Sequence, residues 1–317
     1  MSFNTVRNAS QPQGRMPPVW AVIVNWNGAK DTVECIESLR FQEDVRLDIV
    51  VVDNKSTDAT DIRLIKEHTG AHVHLIVNDQ NAGFSGGNNI GIRYAMDHGA
   101  DYVLIINNDT IVDDKYLVAK LVGAVRNDPR IGLASPSIFY YPATEQVWYA
   151  GTTLNLWLGW KHLRRVPVST TPIDTGYASG CCMLVPLDFI RQVGMLPEPY
   201  FLGVEDIEWS LRAKKSGWRV VYVPGATLLH KDSMSSRAET GGGTYSPTRI
   251  YFEHRNTIWL IRQYGNVPQR WIVWPLILSL RFSYKLAAYI ALRRWAKVWA
   301  LLRAIHDGML TKPVIAV

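Results

Sequence analysis

Tyr102-Val-Leu-Ile-Ile-Asn-Asn-Asp-Thr110 begins as an unbroken apolar run with no polar alternation. That is the pattern of a strand buried on both faces of a parallel sheet. The run stops at Asn107, Asn108 and Asp109. A carboxylate at the carboxyl end of such a strand stands at the crevice where open α/β sheets bind ligands. A hard divalent cation takes oxygen ligands and keeps most of its waters, so one carboxylate and a substrate diphosphate can hold it. An Asn/Asp turn closing a strand has the same composition, and the stretch alone leaves both readings open.

Working outward, the upstream half repeats the strand pattern. Val19 to Val24 is apolar and ends in the turn Asn25-Trp26-Asn27-Gly28; Val33, Ile36 and Leu39 follow at helical spacing. Leu47 to Val52 is a second strand closed by Asp53, and a capped helix after it is expected to bury Ile62 and Ile65. Val73 to Val77 is a third strand. It leads to Asn81-Ala-Gly-Phe-Ser-Gly-Gly-Asn-Asn-Ile-Gly91, a glycine-rich turn into a helix. Gly83, Gly86 and Gly87 match neither G-x-G-x-x-G nor a P-loop. The turn either contacts a ligand or simply packs closely. Downstream of Tyr102 to Ile106, a helix is marked by Leu117, Leu121 and Val125. Strands alternating with helices predict βαβ units, hence an α/β, Rossmann-like, mostly parallel sheet flanked by helices.

After Ile131 the pattern changes. Ile131 to Tyr141, Val147 to Ala150, Cys181 to Val185 and Arg219 to Val223 read as strands. Residues 151–175 are aromatic and basic with no clear period, and read as a mobile loop. Glu205 and Asp206 open a helix bearing Ile207 and Leu211 and ended by Gly217. Acids belong at a helix start for the macrodipole alone; a general base would sit there equally well. His230 follows the last strand, and a lone histidine there is ordinarily structural. Residues 233–246, with three consecutive glycines, read as a flexible loop.

The 317 residues, 47% apolar and 20% charged, suit a core-forming protein. The net charge is +6, yet no Asp or Glu lies between His254 and His306, where Arg255, Arg262, Arg270, Arg281, Lys285, Arg293, Arg294, Lys297 and Arg303 are all basic. With Leu286, Ile290, Trp295 and Trp299 alongside, this predicts amphipathic helices in an anionic membrane interface. A helix that merely covers the core is the other reading. Residues 1–18 are polar, with no signal-peptide core, and are expected to be a disordered leader. Cys35, Cys181 and Cys182 show neither disulfide nor zinc spacing, which fits a reducing cytosol.

Five motifs in order resemble the family 2 glycosyltransferases of GT-A fold: Val22-Ile-Val-Asn-Trp-Asn-Gly28, Val51-Val-Asp-Asn-Lys-Ser-Thr-Asp58, residues 81–91, Ile106-Asn-Asn-Asp-Thr110 and Glu205-Asp-Ile-Glu-Trp209. They look most like the rhamnosyltransferase-like branch of bacterial O-antigen and cell-wall synthesis. The resemblance covers roughly Val19 to Asn256. It implies that Asp53 contacts a pyrimidine base, that Asn25 frames it and that Asn88 adds a polar contact. Asn107 to Asp109 matches the family D-x-D motif, with Asn107 replacing its first carboxylate, so that Asp109 alone binds Mg²⁺ or Mn²⁺. His230 matches a histidine completing the metal or diphosphate site. Asp206, with Glu205, matches the catalytic base. Arg255 and Asn256 fall in a family-like Tyr-x-x-x-Arg-Asn segment without an assigned role.

The resemblance therefore implies an inverting, metal-dependent hexosyltransferase. It would use a dTDP- or UDP-sugar donor, with dTDP-rhamnose leading and galactofuranosyl or N-acetylhexosaminyl transfer as the alternative. The acceptor would be a polyprenyl-diphosphate-linked glycan at the cytoplasmic face of the bacterial inner membrane, with no nucleic-acid partner. A catalytically silent membrane-recruiting subunit is the reading from another class. The expected organisation is a leader (1–18), a catalytic domain (19–250, divided at 130/131 into nucleotide- and acceptor-binding halves) and a helical membrane-associating region (251–317).

Overall fold

The computed structural model describes residues 16–157, 160–167, 169–231, 245–270 and 274–314. The expected leader up to residue 15 and most of the expected glycine-rich loop (232–244) lie outside the described residues. The strands are β1 (Pro18–Asn25), β2 (Arg46–Asp53), β3 (Val73–Val77), β4 (Tyr102–Asn107), β5 (Thr110–Ile111), β6 (Ile131–Tyr140), β7 (Val147–Tyr149), β8 (Thr152–Asn155), β9 (Trp160–Leu163), β10 (Ile173–Asp174), β11 (Cys182–Pro186) and β12 (Arg219–His230). The helices are α1 (Ala29–Leu39), α2 (Ala59–Lys66), α3 (Gly83–Asp97), α4 (Leu117–Asn127), α5 (Leu187–Val193), α6 (Glu205–Lys215), α7 (Pro247–Tyr264), α8 (Trp274–Ala291) and α9 (Trp295–Leu310).

Ten of the strands form one sheet in the order β10-β12-β6-β11-β4-β1-β2-β3, with β5 on β12 and β7 on β6. β1 pairs in parallel with β2 on one side and β4 on the other. The chain winds outward from β1 through β2 to β3, then returns to lay β4 on β1's opposite edge. That reversal is a topological switch point, and it opens a crevice at the carboxyl ends of β1 and β4.

The apolar runs are continuous because neighbouring residues serve opposite cores. Ala21, Ile23, Val51, Leu104 and Ile106 pack with α1 and α4. Val22, Val50, Val52, Val103 and Ile105 pack with α3, α5 and α6. α3 lies unusually close to β1: a Cβ on Gly91 would meet Val22 Cγ1 at 2.4 Å, and one on Gly87 would meet Val24 Cγ1 at 2.9 Å. Close packing thus accounts for these glycines.

Several expectations are corrected. α2 buries Ile65, while Ile62 is only half-buried. Residues 151–175 are not a period-free loop: β8 and β9 pair antiparallel from Thr152↔Leu163 to Asn155↔Trp160, and β10 adds to the main sheet. β12 does not end at Val223 but crosses an irregularity at 224–226 and runs on to His230, which is therefore a strand residue. Lys297 is buried, not displayed. Arg255 is also buried, and Arg262 and Arg270 spend guanidinium donors on carbonyls of Gly308, Thr311, Gly265 and Gln263.

The remaining helices form a small core of their own, with Ile250, Ile258 and Ile261 of α7 against Phe282 of α8 and Leu301 of α9. On the outer side of α8 and α9, Leu276, Leu280, Tyr284, Trp295, Trp299 and Leu302 are exposed. Among the described residues no helix is long and apolar enough to cross a membrane.

Candidate active site

The crevice is lined by the residues that end the parallel strands. Asn25 ends β1 opposite Asp53 at the end of β2, and Val24 pairs with Asn107 at the end of β4. Asp53 and Asn25 are fully buried. Asn25 Nδ2 donates to Asp53 Oδ1 at 2.8 Å and to Ser56 Oγ at 3.0 Å, while its Oδ1 accepts from Thr32. Ser56 donates to both oxygens of Asp53, through its hydroxyl at 2.6 Å and its amide at 3.0 Å. The Asp53 carboxylate is thus fixed in orientation by three donated hydrogen bonds at the crevice floor. Asn108 turns away toward Thr32 and Gly28 of the first loop.

Asn54 organises the glycine-rich turn. Its amide donates to Asn81 Oδ1 and Gly83 O, and its Oδ1 accepts from Ala82 N and Asn78. Asn88 is buried one helical turn later. Its Nδ2 donates to Phe84 O, but its Oδ1 has no hydrogen-bond partner among the described residues. Asn89, in contrast, is structural, bonding both ways to the Leu196 backbone and to Glu198.

Asp109, just before β5, and His230, at the end of β12, meet across a pair of adjacent strands. β5 pairs with the end of β12, placing Thr110 against His230. His230 Nε2 then lies 3.2 Å from Asp109 Oδ1, and both side chains are buried. His230 Nδ1 is buried with no hydrogen-bond partner among the described residues. Trp148 of β7 sets its ring edge-on to the imidazole at 4.9 Å. The next residue, Lys231, donates its amide to Asp109 O and its ammonium to Asp31 and Glu34 of α1. Burial alone would lower the Lys231 pKa, but these two carboxylates outweigh it and hold it above the usual lysine value. Beneath the pair, burial pushes the Cys35 thiol up to about 12, leaving it inert.

Asp206 occupies the first turn of α6, half-buried. Its Oδ2 accepts from Gly180 N at 3.1 Å and its Oδ1 from Ile207 N at 2.8 Å. Glu205 is more deeply buried. The residue after Gly180 closes the link to β4: Cys181 O accepts from Asn107 N at 2.9 Å. Two consecutive residues therefore couple Asp206 to the end of β4.

The structure thus brings Asn25, Asp53, Asn107, Asp109, Asp206 and His230 to one end of the sheet. Sequence reasoning passed over Asn54, Ser56, Gly180, Trp148 and Lys231. Asn54 and Ser56 flank Asp53 in the same motif and were findable. Trp148 stands in no motif.

Asp109 and His230 also pass a test of donor chemistry. Asp109 offers an oxygen and His230 an imidazole nitrogen 3.2 Å apart, a spacing shared by two ligands of one ion and by a hydrogen-bonded ion pair. Among the described residues there is no cluster of three His, Cys, Asp or Glu side chains able to hold an ion unaided. Further oxygens would have to come from substrate and water.

Comparison with known proteins agrees with this geometry. The sequence profile described as "Glycosyl transferase family 2" matches residues 20–194. The chain is 26% identical over 272 residues to the dTDP-rhamnosyl transferase RfbF of Shigella flexneri, covering 83% of each chain. It is 25% identical over 302 residues to the N-acetylglucosaminyl-diphospho-decaprenol L-rhamnosyltransferase of Mycobacterium tuberculosis, covering 86% of this chain and 92% of that one. Among solved structures it resembles GalNAc-T7 with UDP, GalNAc and Mn²⁺ at a TM-score of 0.66 and 14% identity, over 95% of this chain but 59% of that longer one. The mannosyltransferase PcManGT from Pyrobaculum calidifontis, in complex with GDP-Man and Mn²⁺, gives a TM-score of 0.54 at 16% identity, over 94% and 88%. The fold is GT-A.

Proposed function

The chain belongs to glycosyl transferase family 2, and from that premise we propose that it is an inverting, metal-dependent rhamnosyltransferase acting on a lipid-linked saccharide at an anionic membrane surface. The observation that carries the reading is the placement of the Asp109–His230 pair and Asp206 at one crevice, coupled through Gly180 and Cys181. The dTDP-rhamnose donor and the polyprenyl-diphosphate acceptor are supported by the relatives named above, and a UDP-sugar is the other donor considered.

In this reading Asp109 and His230 hold Mg²⁺ or Mn²⁺, which when bound neutralises charge on the diphosphate. Asp53, locked by Asn25 and Ser56, presents its carboxylate toward the base end of the donor. The acceptor hydroxyl attacks the anomeric carbon on the face away from the diphosphate. Its proton passes to Asp206, which Gly180 N and the α6 amides hold in place. The anomeric C–O bond breaks with its electron pair on the diphosphate oxygen, so one displacement inverts the configuration. Residues 19–250 would supply this chemistry. Residues 251–317 would bring it to the lipid through the exposed apolar side of α8 and α9, with Arg293 and Arg294 facing anionic headgroups at the cytoplasmic face of the inner membrane.

Asp206→Asn tests the assignment. Donor affinity, read by thermal shift with Mn²⁺, should be retained, while turnover falls by about 10²–10⁴-fold. Retained turnover removes Asp206 from the role of base. The same thermal-shift panel with dTDP-, UDP- and GDP-sugars, each with Mn²⁺ and with EDTA, names the donor.

A further inference from the structure

The Tyr251-x-x-x-Arg255-Asn256 segment has no place in the chemistry above, yet its Arg255 and Asn256 lie buried in the middle of α7. Asn256 is turned onto the turn that leads into α6. Its Nδ2 faces three carbonyls: Tyr200 O at 2.6 Å, Leu202 O at 3.1 Å and Gly203 O at 2.7 Å. Arg255 adds Pro199 O at 2.7 Å and holds Asn256 Oδ1 with two further donors. The guanidinium lies 3.9 Å over the Trp259 ring, which fixes it in turn.

The turn needs such a grip. Phe201 sits at φ 56°, ψ −61°, and Val204 at φ 73°, ψ −5°. Both are sparsely populated by non-glycine residues, and a β-branched side chain tolerates this region least. Such strain persists only where surrounding contacts over-determine it. On its other side the turn is pinned to the glycine-rich start of α3: Phe201 O accepts from Phe84 N at 2.6 Å, and a Cβ on Gly83 would lie 2.5 Å from that oxygen. Glu205 and Asp206 follow Val204 directly, so the direction in which Val204 leaves the turn sets where the Asp206 carboxylate points.

We propose that Arg255 and Asn256 are positioning residues for Asp206, clamping the strained turn 199–204 against the donor-side start of α3 so that the base meets the acceptor hydroxyl in register. This rests on the assignment of Asp206 as base. These two side chains reach four backbone carbonyls of the turn, of which Tyr200 O also accepts from Leu202 N.

The test uses Asn256→Asp, which keeps the shape and removes the donors. Because a buried carboxylate against three carbonyls can unfold the chain, Arg255→Lys serves as the second variant; it keeps the charge and loses the fork. Activity is counted per molecule able to bind donor. The expected result is a kcat lowered about 10–100-fold with donor KM within about twofold, since a misplacement near 1 Å costs on that order. Added to Asp206→Asn, either change should cost no more than about twofold further, because residues acting through one group are non-additive. Unchanged kcat per binding-competent molecule, a parallel loss of donor affinity, or factors that multiply in the double variant overturns the proposal. Full turnover in Asp206→Asn alone overturns the base assignment and the clamp with it, and is told apart because it needs no change at 255 or 256.

Discussion

Replacing Trp295 and Trp299 with serine should detach the protein from anionic bilayers without unfolding it. Trp299 is 70% exposed and Trp295 56% exposed. On side chains burying up to about 250 Å² each, that leaves roughly 300 Å² of mostly apolar surface in water. At about 25 cal/mol per Å² its complete withdrawal from water is worth on the order of 8 kcal/mol. An interfacial helix buries only part of its apolar face; if half is withdrawn, the gain is about 4 kcal/mol, or roughly three decades in partition coefficient. The double variant should therefore lose at least about 10²-fold in binding to vesicles containing anionic lipid, read by co-sedimentation. Arg293 and Arg294 should make the wild-type binding weaken with salt as the Debye length shrinks. Folding is insulated, because Val298, Leu301 and Ala304 carry the inner side of α9 while Trp295 and Trp299 lie on the outer one. Unchanged partition by a folded double variant refutes the reasoning and makes this face an ordinary surface, or a contact for some other partner.

Two further outcomes follow from the crevice and from the sheet edge. His230→Gln, and separately Asp109→Asn, should abolish the Mn²⁺-dependent part of the donor-induced thermal shift and cut turnover by at least about 10²-fold; a full Mn²⁺-dependent shift in either would remove that residue from the metal. Asp128 is held well below the usual carboxylate range by hydrogen bonds from Arg130, then Arg219. A depressed folded-state value means a stabilising contribution present above the ordinary carboxylate pKa and lost as pH falls through the folded-state value. Asp128→Asn should thus lower the melting temperature at pH 7, with the gap to wild type closing in acid; a gap that persists at the lowest pH reached would point to lost packing instead.

How much the sequence revealed follows from how locally each feature is determined. Val19 to Val24 and Tyr102 to Ile106 announce themselves because side chains on both faces meet an apolar core. The expectation that β12 ends at Val223 failed at Pro224 and Gly225, letters that ordinarily stop a strand. The ladder accommodates them as an irregularity between Val223 and Thr227, then resumes and delivers His230 to Asp109. Residues 151–175 looked unstructured because short antiparallel strands take their register from partners rather than from their own periodicity. At the site, strand-end positions were legible because a parallel strand's carboxyl end is a defined place. Which amides are taken up by protein groups was not: Asn108 and Asn89 are the same residue type as their neighbours and differ only in the groups they meet.

Charge counting had the same weakness in α7, and its correction changes how the C-terminal helices relate to the catalytic core. The basic run from Arg255 onward reads as a surface, yet Arg255 bonds the turn before α6 and Arg262 the end of α9. Tyr264 donates to the buried Glu208 of α6 at 2.6 Å. On its other side Ile258 packs so closely on Gly308 that a Cβ there would approach to 2.8 Å, and Tyr251 donates to Asp307. One face of α7 thus completes the support of Asp206, and the other carries the helices with exposed tryptophans. A division of the chain at residue 250 would cut through neither interface, but it would assign α7 wholly to the membrane side. The hydrogen bonds join it to both, to the turn before α6 on one side and to the end of α9 on the other.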